Sequence, residues 1–173
     1  MQPWDGDLLK SLATGDVAHE VRSLARWSTT RIEPADVNRS EVGFARAANQ
    51  AFAECAMLHL RAVVDFLEER SNGPTDLVAS HYFDNRNDWS APKLLTENER
   101  EDLNRHLAHL TTQRQTSRNG VDQFDWSKLH RHVPAVLGAF RVFVLALEVR
   151  DSERAEWFRG AVASIDAPWH ADG

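Results

Sequence analysis

The chain has a single cysteine, Cys55, among its 173 residues. One thiol excludes an intrachain disulfide and a zinc site built on thiolate pairs, and it suits a reducing compartment, so a cytoplasmic setting is expected. Long apolar runs are also missing. The longest, Val142 to Leu147, is far short of the roughly 20 residues that cross a bilayer, so no membrane partner is expected. The opening MQPWDGDLLK has no basic stretch leading into an apolar one, which argues against a secretory signal. The eight glycines are scattered, and none sits in a Gly-x-Gly or Gly-Lys-Ser/Thr context; a phosphate-cradling loop is therefore excluded. A Gly-x-Ser-x-Gly nucleophile turn is absent too. No cofactor is expected from these omissions. Lysine is scarce: of 20 basic residues only Lys10, Lys93 and Lys128 are lysines, and the other 17 are arginines. With 26 acidic residues the net charge is −6, so overall charge does not demand a nucleic-acid partner.

Strand signals are as scarce as cysteine, and helical periodicity dominates. A first helix is predicted over about 16–28, with Val17, Val21 and Leu24 on one side. A long second helix is predicted over about 40–69, with Ser40 as its N-cap. Its core stripe is read as Phe44, Ala48, Ala51, Cys55, Leu58 and Ala62, at steps of three and four. Thr96 followed by Glu99 reads as a capping box opening a helix over about 96–116. A further helix over about 126–149 carries Val133, Val136, Phe140, Val144 and Leu147, and Pro134 is expected to kink or divide it. A weaker amphipathic stretch restarts at Asp151-Ser152. The expected fold class is all-α: one domain over 1–173, an antiparallel bundle of four main helices with one or two short additional helices. Residues 1–15 and 166–173 are expected to be peripheral. Six Trp and eight Phe exceed what such a bundle needs internally, and a homodimer is expected.

Several polar side chains interrupt the apolar pattern. Glu54, Arg61 and Asp65 are spaced along one side of the second helix, and Asp65 lies three past Ala62. On the third helix Arg114 falls in the stripe of Leu103, Leu107 and Leu110, with His106 and His109 at its edge. A buried guanidinium needs a carboxylate. Arg114 is therefore expected to reach Asp65 or Glu54, with His59 or His109 lining the same groove. That groove, comprising Glu54, His59, Arg61, Asp65 and Arg114, reads either as a structural lock between helices or as a site for an anionic ligand. Metal binding is not expected. His106 and His109 lack a matching carboxylate beyond the short Asp102, and no Glu-x-x-His occurs.

Three blocks carry a family resemblance: Glu54 to Leu67, Asp76 to Phe83 with Trp89, and Leu103 to Thr111 with Arg114. They span roughly 52–114, about a third of the chain. They resemble small bacterial all-α proteins similar to the HEPN helical-bundle superfamily, many of whose members are metal-independent ribonucleases of toxin–antitoxin and phage-defence systems. The superfamily's signature is an Arg followed by a His after four to six residues. Arg100 and His106, with five residues between them, fit that spacing; Arg105 and His109, with three, do not. The resemblance implies His106 or His109 as general base on a ribose 2′-hydroxyl and Arg100 stabilising charge on the phosphate, across a dimer interface. RNA or a nucleotide, and a protein partner such as an antitoxin, are the implied partners. Two functions stay open: a protein that binds a partner or anionic ligand in a polar groove, and a metal-independent endoribonuclease.

Overall fold

The computed structural model describes residues 4–33, 36, 38–71, 73, 75–108 and 130–166, without the side chains of 105, 106 and 108. Among the described residues every regular element is helical and no strand occurs. The helices are α1 (Gly6–Leu12), α2 (Ala18–Thr29), α3 (Val42–Leu67), α4 (Glu97–Ala108), α5 (Val133–Arg150), α6 (Ser152–Glu156) and α7 (Arg159–Asp166). Short 3₁₀ turns at Ala79–Tyr82 and Arg86–Asp88 lie between α3 and α4.

The helical signal begins earlier than periodicity alone places it. The Asp5 carboxylate accepts from the Leu8 amide at 2.7 Å and caps α1. A π-helical turn, Ala13–Val17, then joins α1 to α2 without a break. Leu9, Ala13 and Val17 are buried, so this segment belongs to the packed core and is not peripheral. The Tyr82 hydroxyl donates to the Leu9 carbonyl at 3.2 Å, and burial pushes its pKa up.

Helix α3 faces the core with a different side from the one its spacing suggested. Ala45, Ala56, Met57, Leu60, Val63, Val64 and Leu67 are buried, whereas Phe44 and Leu58 are 72% and 52% exposed. Apolar residues occur around much of this helix, so stripes of three-and-four spacing can be drawn on more than one side. Which stripe is buried depends on the partner helix, and α2 packs along α3 more extensively than any other element. The expected Ser40 cap is also displaced. The residue flanking the helix is Glu41, whose carboxylate accepts from the Asn38 amide at 3.0 Å.

Past the end of α3, Glu69 adopts φ 61°, a left-handed conformation that costs a non-glycine residue about 1–2 kcal/mol. Its carboxylate compensates by accepting from the Ser80 amide at 2.6 Å and the Ser80 hydroxyl at 2.5 Å. The Arg70 amide donates back to the Asp65 carbonyl at 3.0 Å, closing a Schellman-type end. Trp89 Nε1 donates to the Leu67 carbonyl at 3.0 Å.

The Thr96–Glu99 capping box is present as the sequence predicts. The Thr96 amide donates to Glu99 Oε2 at 2.9 Å and the Glu99 amide to Thr96 Oγ1 at 3.3 Å. The helical pattern divides next to Pro134, as expected: His130 is helical, Arg131 and His132 form a turn, and the chain restarts as α5 with Pro134 in its first turn. The proline's missing N–H would be unsatisfied there anyway. Asp151 caps α6, accepting from the Arg154 amide at 3.0 Å.

Helix α5 packs against α2 and α3, and α7 packs against α2 and α5. Where α3, α5 and the chain between α3 and α4 meet, seven buried aromatics gather: Phe66, Tyr82, Phe83, Trp89, Phe140, Phe143 and Phe158. Phe143 sits among them, 5.3 Å from Phe66, 5.5 Å from Trp89 and 5.2 Å from Phe158, each close to edge-to-face. The core therefore takes up aromatic surface that the sequence reading assigned to an interface.

Candidate functional site

The sequence-selected residues fall into three places. Arg100 enters from the first turn of α4, and its side chain is 8% exposed. Its Nη1 donates to Asp65 Oδ1 at 2.6 Å, and its Nη2 pairs with Glu68 Oε2. Glu68, itself buried, also accepts from the Leu94 and Leu95 amides at 2.6 and 3.0 Å. Arg61 Nε lies 3.5 Å from Asp65, and Arg70 Nε lies 3.5 Å from Glu68. Arg70 further pairs with Glu97, which holds that carboxyl below the usual carboxylate range. The buried guanidinium that meets Asp65 belongs, among the described residues, to Arg100. Among the described residues, Arg100 Nε and Asn104 Oδ1 are buried without a hydrogen-bond partner.

His59 lies apart from this cluster, on the side of α3 that meets α2. Its Nδ1 is 2.8 Å from Glu20 Oε2, and the His19 ring stands edge-on to it with centroids 5.5 Å apart. Glu54 accepts from Gln50 Nε2 at 3.0 Å on the same helix. The expected groove therefore does not gather as one site among the described residues. The side chain of His106, together with His109 and Arg114, lies outside the described residues.

A cleft that sequence reasoning missed opens between α2, α5 and α7, with a volume of about 910 Å³. Arg22 and Arg26, one turn apart on α2, stand on its rim with Arg141 of α5. Arg26 also lies over the Trp27 ring, 4.8 Å from its centroid. Arg141 pairs with Asp166, the one carboxylate among the described lining residues. His19 and His130 join the rim, and His130 Nε2 lies 2.6 Å from the Ser28 carbonyl. Val133, Leu137 and Ile165 supply the apolar lining. Only the i,i+4 pair Arg22/Arg26 hints at this cleft in the sequence. The residues opposite lie more than 100 positions away, and no local pattern links them.

Near the cleft's far helix, Glu99 collects donors from two sides. Beyond its bonds to Thr96, it takes Arg131 Nη2 and His132 Nε2, each at 2.9 Å. The amide of Thr96 contributes most to pulling its pKa down to about 2, with the Thr96 hydroxyl and Arg131 adding to the effect against partial burial.

No family model, curated protein or solved structure matches this chain.

Proposed function

We propose that the protein binds a small organic anion of nucleotide size in the cleft between α2, α5 and α7, without turnover. One observation carries this reading: three guanidinium groups border a single apolar-lined cleft that holds one described carboxylate. Guanidinium forks match phosphate and carboxylate oxygens in pairs. The apolar lining would take a base or acyl portion, and about 910 Å³ lies within the range of small-molecule sites. In this reading the chain is one HEPN-like domain, an antiparallel bundle of four main helices acting as a bacterial cytoplasmic homodimer. A nucleotide or the end of an RNA strand is its ligand, and an antitoxin-like protein is a candidate partner.

The engagement of Arg100 by Asp65 and Glu68 supports a binding role over the ribonuclease alternative, in which that guanidinium would have to serve a phosphate. The test is calorimetric titration with nucleoside mono- and diphosphates, alongside incubation with single-stranded RNA. Micromolar binding that falls at least tenfold in Arg22→Glu and Arg141→Glu, with intact RNA, is the expected result. RNA cleavage lost in His106→Ala would replace this reading with the endoribonuclease. Anion affinity unchanged by both Arg variants would remove the cleft as the site.

A further inference from the structure

The seam between α2 and α3 holds a second arrangement that the anion-binding reading does not use. His19 and Glu20 are consecutive on α2, and His59 faces them from α3. One nitrogen of each imidazole and one carboxylate oxygen of Glu20 all lie within 4.8 Å of one another. The tightest pair is His59 Nδ1 to Glu20 Oε2 at 2.8 Å. Donors sharing one tetrahedral zinc ion at 2.0–2.2 Å sit about 3.3 Å apart, so small side-chain rotations bring all three to ligating distance. Glu20 and His59 are half-buried, with side chains 33% and 17% exposed, while His19 is exposed and stands on the rim of the cleft.

The backbone supports the same point. The π-helical turn Ala13–Val17 ends one residue before α2. Such a turn accommodates an extra residue, rotates the helix that follows, and recurs at functional sites. It sets the phase in which His19 and Glu20 both approach α3.

We propose that His19, Glu20 and His59 form a site for one divalent transition-metal ion, with Zn²⁺ the best-matched species. Two imidazoles and one carboxylate select zinc-like ions over Mg²⁺ and Ca²⁺, which require oxygen donors. Three protein ligands leave a coordination position for water or another small ligand, as in open zinc sites. Local sequence reading passes over the site because His19 and His59 are 40 positions apart and neither belongs to a Glu-x-x-His motif.

The test is titration of the tag-free, chelator-treated full chain with Zn²⁺ alone by calorimetry, with no organic anion present. Visible absorption of the Co²⁺-loaded protein reports the geometry. One equivalent per chain is expected, with a four-coordinate cobalt spectrum and no heat from Mg²⁺. His19→Gln, whose exposed position leaves folding intact, and His59→Gln should each weaken Zn²⁺ binding at least tenfold. Cys55→Ser and His132→Gln should leave it unchanged, and circular dichroism should match across all variants. Absence of Zn²⁺ binding at micromolar protein overturns the proposal. So does an affinity that survives His19→Gln, or one that disappears with Cys55→Ser. Anion binding in excess chelator, weakened by Arg22→Glu and Arg141→Glu but not by His59→Gln, is scored separately, so either reading can fail alone.

Discussion

Replacing Arg100 with Met tests the buried ion cluster most directly. The change removes a guanidinium whose side chain is 8% exposed and leaves the Asp65 and Glu68 carboxylates, 30% and 6% exposed, without their shared partner. Removing one member of a buried pair costs about 3–5 kcal/mol, because the remaining charge has lost both water and counter-ion. The lower end applies here. Glu68 keeps the Leu94 and Leu95 amides, and Asp65 keeps Arg61 at 3.5 Å. A loss of about 3 kcal/mol in a chain of this length lowers Tm by roughly 6–12 °C. Urea unfolding followed by circular dichroism should show the midpoint fall with the slope unchanged. Adding Glu68→Gln to Arg100→Met should recover part of the loss, since the amide side chain still accepts from both backbone donors. A cost under about 1 kcal/mol for Arg100→Met would refute the reasoning. If the variant stayed fully stable and an RNA-cleaving activity vanished with it, Arg100 would belong to catalysis and not to the fold.

The carboxyl of Glu99 has its pKa drawn down from 4.5 to about 2 in the folded chain. The stability it contributes is therefore complete above pH 4.5 and is lost as pH falls toward 2. Glu99→Gln should cost about 1–2 kcal/mol at pH 7, allowing for its partial exposure, and should flatten the loss between pH 5 and 2 in acid titrations of stability. Phe143→Ala, at the centre of the aromatic cluster, should cost about 3–5 kcal/mol by chemical denaturation. Phe44→Ser should change stability by less than about 0.5 kcal/mol; a core-sized loss there would mean that the outward face of α3 is buried in solution.

The parts of the fold that depend on neighbours in sequence were readable. The Thr96–Glu99 box, the restart at Asp151-Ser152 and the helical class follow from residues close in sequence, where chain geometry alone brings groups together. The burial face of α3 was not readable. Phe44 and Leu58 satisfy the same spacing as Ala56, Leu60 and Val63, and only the approach of α2 decides between them. Arg100 was picked out as a residue for chemistry, and Asp65 as one needing a counter-charge. Their pairing was hidden because it spans 35 positions, which no local spacing encodes. The cleft and the His19–Glu20–His59 group are tertiary in origin. Each requires two or three helices already docked, and no motif spacing encodes that.

The end of α3 has a consequence for how the chain acquires its structure. Asp65, Glu68 and Glu69 crowd the last turn and exit of a 26-residue helix that has no basic residue in that turn. The aligned peptide dipoles put partial negative charge at this end, and each carboxylate adds an unfavourable contribution there of about 0.3–1 kcal/mol. A peptide of residues 42–70 should unwind from its C-terminus first. The final turn becomes favourable only when downstream chain delivers its donors: Ser80 eleven residues past Glu69, Leu94 and Leu95 26 and 27 past Glu68, and Arg100 35 past Asp65. The first two-thirds of α3 can therefore zip against α2 early, while its last turn waits for residues 80–100 to fold back. Folding kinetics should place Met57 and Leu60 in the nucleus, with Asp65 and Glu68 gaining their native contacts only on the downhill side of the barrier.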